Sequence, residues 1–311
     1  MNRRRFPAAG VIAALAAVTA LCPATRAAAP AVAEAAAGAA TFPGTVSEFH
    51  GYICHSFTID GRDVRVAEPK VALPGHPWVW RTAFWDAFSS VDVALLGRGF
   101  VVAFIDGGDT WGCPDAMTHF DAFYAQMTSS YGLSRHPALE GLSRGGLYAY
   151  RWAATNSDKV GCLYGDAPLC DLKSLRRPDA PAGQMDAWRA AIRDYHFASE
   201  QEMLDYPNNP VDTLAPLAAA HVPVIHVCGD ADKDVPLANN TDIIRERYMK
   251  LGGDIVVIVK QGCEHHPHGL NDPTPVVEFI VAHAAGGKAA REARKIAPKP
   301  GTITVLPQGK W

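Results

Sequence analysis

Gly141-Leu142-Ser143-Arg144-Gly145-Gly146 spells a G-x-S-x-G pentapeptide followed by one more glycine. Glycines two residues either side of a serine permit a sharp strand-to-helix turn that a side chain at either place would block. The strained backbone then holds the hydroxyl out above the sheet. The helix opening behind the serine aims free N–H groups where an oxyanion would develop. Ser143 is therefore the candidate nucleophile. A hydroxyl is a poor nucleophile without a base. Gly262-Cys263-Glu264-His265-His266-Pro267-His268-Gly269 follows the last apolar run. His265 stands where such a base is expected, with His266 and His268 as alternatives. An acid must orient that imidazole and stabilise its cation. Gly229-Asp230-Ala231-Asp232-Lys233-Asp234-Val235-Pro236 has the spacing G-x-x-D-x-x-V-P, which picks Asp232. Asp166, in Gly165-Asp166-Ala167-Pro168 after the preceding apolar run, is the alternative acid.

A His-His-x-His cluster is also a metal-ligand pattern. No carboxylate-rich partner motif and no C-x-x-C pair accompanies it, so neither a metal nor another cofactor is expected. Acyl transfer also needs two oxyanion donors. The Arg144 N–H is one. The other is expected after a short strand at 71–73, in Pro74-Gly75-His76-Pro77-Trp78-Val79-Trp80-Arg81. Proline has no N–H, which leaves Trp78, Val79 or Trp80. The tryptophans equally suit core packing or a sugar-stacking pocket. Asp106-Gly107-Gly108-Asp109-Thr110-Trp111-Gly112 ends another apolar run and is placed to rim the site.

These residues need a scaffold, and the hydrophobic pattern supplies one. Segments 51–59 and 62–68, joined by Asp60-Gly61, read as a β-hairpin. Beyond it, strand-like and helix-like stretches alternate. Strands are expected at 71–73, 100–105, 138–141, 160–164, 222–228 and 255–259. Helices are expected at 82–96, 117–131, 144–156, 239–251 and 275–285. Such alternation implies βαβ units, a mostly parallel central sheet and helices on both faces, an α/β fold. Residues 171–220 break the alternation and read as a small helical insert over the edge of the sheet that shapes a substrate pocket. Residues 286–311 read as a C-terminal tail without a core role.

Among 311 residues, 48% are hydrophobic and 20% charged, with a formal net charge of −3, which suits a globular domain and disfavours a nucleic-acid partner. Residues 1–28 read as a signal peptide. Arg3-Arg4-Arg5-Phe6 precedes an uncharged apolar stretch too short to span a membrane, and small residues follow. The arginines fit Tat or Sec export. The expected location is periplasmic or secreted, with no stable membrane anchor after cleavage. Residues 29–44 read as a flexible lead-in and 45–285 as the folded domain. Cleavage removes Arg3, Arg4, Arg5 and Arg26 and no acid, so the mature surface becomes more acidic. Six cysteines remain, an even number compatible with disulfides in an exported protein.

From about residue 71 to 285 the chain resembles the α/β-hydrolase superfamily. Gly-Leu-Ser-Arg-Gly-Gly, the Pro-Trp-Val-Trp-Arg loop and Glu-His-His-Pro-His-Gly-Leu are similar to an exported esterase group related to prolyl-oligopeptidase-like hydrolases. The order Ser143, Asp232, His265 is the order that this fold carries. The Ser143-Arg144 pair also resembles the nucleophile motif of glucuronoyl esterases, whose arginine helps hold the oxyanion, a role carried only to Arg144. Leu142 stands where that motif has cysteine, and Asp232 departs from it as the acid, so no substrate transfers. The resemblance implies a serine-dependent carboxylic ester hydrolase working through an acyl-enzyme. Its expected substrate is a small-molecule or carbohydrate ester, such as an acyl or methyl ester of extracellular carbohydrate. The alternatives are a serine peptidase of the aminopeptidase kind and a non-catalytic binding protein. The first is disfavoured because the residues before 71 leave no room for the propeller that such peptidases commonly carry.

Overall fold

A computed structural model describes residues 41–311; the expected signal peptide and most of the lead-in, residues 1–40, lie outside the described residues. Three antiparallel strands begin the fold: β1 (Thr45–Phe49), β2 (Tyr52–Ile59) and β3 (Arg62–Ala67). Asp60 and Gly61 join β2 to β3 with φ of 49° and 72°, the left-handed pair that a two-residue hairpin turn requires. Seven parallel strands continue the sheet: β4 (Trp78–Arg81), β5 (Val101–Ile105), β6 (Ala138–Leu142), β7 (Cys162–Asp166), β8 (Val224–Gly229), β9 (Ile255–Lys260) and β10 (Ile303–Leu306). The order across the ten-stranded sheet is β1-β2-β3-β5-β4-β6-β7-β8-β9-β10. The strand order therefore reverses around β4, and ligands of open α/β sheets bind beyond the carboxyl ends of strands at such a point.

Helices cover both faces. On one side lie α1 (Ser90–Gly97), α8 (Thr274–Ala284) and α9 (Gly287–Ala293). On the other lie α2 (Ala116–Ser129), α3 (Gly145–Thr155), α4 (Gln184–Asp194), α5 (Glu200–Leu204), α6 (Ala215–Ala219) and α7 (Thr241–Lys250). Alternation along β4 sorts its side chains between the two cores. Trp78 and Trp80 stack at 5.6 Å, and Trp80 meets Trp152 of α3 at 4.8 Å. Val79 faces the α1 side. No helix among the described residues is long and apolar enough to cross a membrane.

Four expectations are corrected. Residues 71–73 are not a strand: they lie between Pro69 and Pro74, and Val71 is exposed. The strand forms after Pro77, where Trp-Val-Trp can be buried on both faces. The helix expected at 82–96 begins only at Ser90. Phe42, assigned to the lead-in, is buried against Tyr131, their ring centroids 4.7 Å apart. The tail is part of the domain. α9 packs on α8, and β10 pairs in parallel with β9, Ile303 opposite Val257. Its edge strand, Ile-Thr-Val-Leu, is short and mostly exposed. The six described cysteines are buried free thiols.

Residues 83–89 run as a bend and then, from 85 to 89, consecutive turns, because a buried side chain ties them down. Arg81, fully buried at the end of β4, donates Nε–H to the Phe84 carbonyl at 2.9 Å and Nη2–H to the Ala87 carbonyl. Its Nη1 donates to Asp92 of α1 and, at 3.1 Å, to Glu140 of β6. Phe84, Asp86 and Phe88 all take left-handed φ, between 53° and 64°. Burial and the neighbouring Asp92 carboxylate push the Glu140 carboxyl well above its usual range. Asp92 Oδ1 and Glu140 Oε2 otherwise find no donor among the described residues. A Glu140 held protonated leaves one cation and one anion in the cluster.

The folded state thus keeps a proton on Glu140 that the unfolded chain loses above the ordinary value of 4.5. The unfolded state then binds fewer protons, so this group's contribution to stability declines as pH rises from there. Glu140→Gln keeps a neutral donor at the same place. Its urea midpoint should fall less between pH 5 and pH 9 than that of the unsubstituted protein. The difference should approach about 1.4 kcal/mol per pH unit while the folded group stays protonated. Parallel urea curves across that range would show that Glu140 carries no such proton.

Candidate active site

Ser143 sits between β6 and α3 with φ of 48°, in the left-handed region that non-glycine residues rarely adopt. Three hydrogen bonds hold that conformation. Its N–H donates to the Asp166 carbonyl at 2.8 Å, and its own carbonyl accepts from Gly146 at 2.9 Å and Leu169 at 2.8 Å. The flanking glycines are required by space. A Cβ on Gly141 would meet the Gly145 carbonyl oxygen at 2.8 Å, and one on Gly146 would meet Pro168 Cβ at 2.6 Å.

The structure brings Ser143, His265 and Asp232 into one hydrogen-bonded chain. Ser143 Oγ lies 2.9 Å from His265 Nε2, and His265 Nδ1 lies 2.7 Å from Asp232 Oδ2. The second Asp232 oxygen accepts from the N–H groups of Asp234 and Val235, at 2.9 and 2.8 Å. An ionised Asp232 fixes the proton of His265 on Nδ1, and the Nε2 lone pair faces the serine hydroxyl. His265 and Asp232 are both buried. Asp230, one of the flanking acids, accepts from the Gly262 N–H at 2.6 Å, and the Ala231 N–H donates to the Cys263 carbonyl at 3.0 Å. The acid loop and the histidine loop are thereby tied together.

The alternatives go elsewhere. Asp166 does not reach His265. It faces His268 Nδ1 at 3.0 Å and accepts from the Gly269 N–H at 2.6 Å and the Tyr164 hydroxyl at 2.7 Å. Burial opposes its charge, but the hydrogen bonds from His268 and Tyr164 and the nearby Lys260 ammonium together hold its carboxyl below the usual range. His268 is thus taken by Asp166, and His266 stacks on Phe88 at 5.6 Å. Neither meets Ser143.

The oxyanion assignment of Trp78, Val79 and Trp80 is also corrected. All three are fully buried in β4, which pairs with β5 on one side and, from Val79 on, with β6 on the other. Because the strand lies later than expected, the loop beside the serine is 82–84. The Thr82 hydroxyl sits 2.9 Å from the carbonyls of Glu140 and Gly145, and a Cβ on Gly145 would be 3.3 Å from Ala83 Cβ. The N–H groups of Ala83, Phe84 and Arg144 donate to no carbonyl among the described residues. Ala83, Phe84 and the Arg81 that fixes them escape sequence reading. The visible signal is an arginine closing the buried run Trp-Val-Trp.

A cavity of about 430 Å³ opens over Ser143, walled by Phe84, Phe88, Trp111, Leu169, Leu175 and Val235. Gln184 and Ala187 of the insert also line it, so residues 171–220 do shape this space. On the far side of Phe84 and Arg144 lies a second cleft of about 440 Å³, with Asp63, Arg65, Trp85, Asp106 and Asp109. The Arg144 guanidinium stands between the two. It lies 4.8 Å from the Trp111 ring and 5.4 Å from that of Phe84, and pairs with Asp109 at 2.6 Å.

No family model matches this chain, and no curated protein matches it in sequence. Solved structures do resemble it. A puromycin hydrolase aligns over 80% of this chain and 41% of its own, with a TM-score of 0.59 and 16% identity. The acylaminoacyl peptidase of Pyrococcus horikoshii aligns over 76% and 42%, at 0.56 and 12%. Dipeptidyl peptidase 4 of Porphyromonas gingivalis aligns over 73% and 35%, at 0.54 and 15%. This chain spans less than half the length of each. The likeness shows the α/β-hydrolase fold.

The two buried aspartates should separate in solution. Asp232→Asn should abolish the deshielded proton resonance of His265 Nδ1 in NMR spectra, and Asp166→Asn should leave it in place. Asp166→Asn should instead lower stability by about 3–5 kcal/mol in urea, because it strips the charge from a buried paired site. Loss of the resonance only in Asp166→Asn would reverse their roles.

Proposed function

We propose that this α/β-hydrolase-fold chain is a serine-dependent carboxylic ester hydrolase. The observation that carries this reading is the chain Ser143–His265–Asp232, set beside the N–H groups of Arg144, Ala83 and Phe84, which donate to no carbonyl among the described residues. Ser143 Oγ bonds to the ester carbonyl carbon as its proton passes to His265 Nε2. Asp232 holds the imidazole and stabilises its cation. The carbonyl oxygen, now an anion, accepts from the Arg144 N–H and from that of Ala83 or Phe84. The C–O bond to the alcohol breaks as His265 returns the proton to the leaving oxygen. Water, deprotonated by His265, then releases the acid from Ser143.

The finer substrate assignment is an acyl or methyl ester of a carbohydrate. It is supported by the second cleft, which sets the Trp85 indole among three carboxylates and two guanidinium groups, side chains that stack on sugar rings and bond hydroxyls. An extracytoplasmic location is part of the same proposal and rests on the spelling of residues 1–28.

A fluorophosphonate should label the protein, and Ser143→Ala should not be labelled. Nitrophenyl esters should be cleaved, and peptide anilides should not. Cleavage of anilides alone would turn the reading to a peptidase. Absence of both labelling and turnover would turn it to a binding protein. Asp232→Asn should lower kcat by about 10³–10⁴-fold. Arg81→Lys keeps a buried cation but loses the fork that fixes the Phe84 and Ala87 carbonyls. Its kcat should fall by about 10²–10³-fold with KM little changed. An equal rise in KM would mean that Arg81 shapes ground-state binding instead.

A further inference from the structure

The loop after β9 carries three imidazoles, and the proposed reaction uses only one. A ring nitrogen from each of His265, His266 and His268 lies within 4.8 Å of the others. The rings stand roughly edge to face, with centroids 4.8 to 5.0 Å apart. Two of the three are backed by buried carboxylates: Asp232 on His265 Nδ1 at 2.7 Å, and Asp166 on His268 Nδ1 at 3.0 Å. A carboxylate on one ring nitrogen fixes the tautomer, makes the other nitrogen more basic and leaves its lone pair free. Metal-binding histidines are supported in the same way. This is the carboxylate partnership that the sequence motif alone does not display. The His266 ring nitrogens bond nothing among the described residues, and that ring is exposed enough to turn. The other candidate set, Asp232, Asp234 and His265, is weaker, because both Asp232 oxygens are already engaged.

We propose that His265, His266 and His268 form an inhibitory site for a divalent zinc ion, bound through Nε2 of His265 and of His268 and one nitrogen of His266. Three neutral imidazoles suit zinc, a borderline-soft ion that takes nitrogen at about 2.0–2.1 Å and leaves a fourth position to water or to Ser143 Oγ. Ligand nitrogens about such an ion stand roughly 3.4 Å apart, so the three, now within 4.8 Å of one another, draw together on binding, and the exposed His266 is the ring free to turn. Zinc on His265 Nε2 occupies the lone pair that must receive the serine proton. No bond of the substrate breaks and nothing is oxidised; the ion and Ser143 compete for one nitrogen. The inhibitory part rests on the proposed role of His265, whereas binding of the ion does not.

The test uses the intact protein with cobalt(II) as an optical probe and zinc in calorimetry. One ion per chain should bind, with the visible absorption of tetrahedral cobalt. Zinc should slow fluorophosphonate labelling at least tenfold, and EDTA should restore it. His266→Ala and His266→Gln, checked for folding by circular dichroism, should each lose at least tenfold in zinc affinity. Labelling of each, relative to its own zinc-free rate, should become less sensitive to zinc to the same degree. Ser143→Ala should still bind cobalt, so a mistaken nucleophile and a missing metal site give different results. Absence of binding, or equal binding in the His266 variants, overturns the site. Zinc that binds without slowing labelling, or that speeds ester cleavage, overturns the inhibition.

Discussion

A guanidinium has five N–H donors and cannot shed its charge, so Arg81, sealed from water, must find protein acceptors for them. It finds them on three elements at once: the carbonyls of Phe84 and Ala87 in the loop after its own strand, Asp92 on α1 and Glu140 on β6. Glu140 lies three residues before Ser143. One side chain therefore fixes the height of the serine strand and the path of the loop facing it. The left-handed residues Phe84, Asp86 and Phe88 lie in a loop whose Phe84 and Ala87 carbonyls are held by Arg81. Replacing such a cluster with apolar side chains often costs little stability. What it supplies here is a defined geometry where two loops must meet.

Much of the site is legible in the sequence because its parts are local. The serine turn needs glycines at fixed places, the acid loop needs an aspartate that folds back on its own backbone, and Asp60-Gly61 needs only its neighbours. The parts that escape reading are set across the fold. Nothing in Pro74 to Arg81 says that the strand starts after the second proline, because burial of Trp78 and Trp80 against Phe120, Phe123 and Trp152 decides it. The turns at 83–89 read as a helix until the Arg81 side chain is seen to claim their carbonyls. Local spacing singles out Asp232 as the acid, but only the placement of the histidine loop gives Asp166 to His268.

Phe84 and Arg144 are shared by an apolar cavity and a polar cleft. The backbone N–H of each donates to no carbonyl among the described residues, while its side chain divides the two spaces. The divider between the two spaces and the backbone beside Ser143 thus belong to the same two residues. The insert is different: Leu175, Gln184 and Ala187 touch the apolar cavity from an element that bears none of the hydrogen-bonded chain.

The placement of β4 also bears on how the chain acquires its shape. β4 precedes both of its neighbours in sequence, and β6 lies some sixty residues downstream of Arg81. Until β6 docks, β4 is the rim of a partial sheet, and a rim of Trp-Val-Trp is a ready template for pairing with another nascent chain. Arg81 at its end stays hydrated at that stage, and a charge on an open strand discourages such pairing. The residue that later organises the interior thus shields the young sheet edge while its acceptors on β6 have yet to arrive.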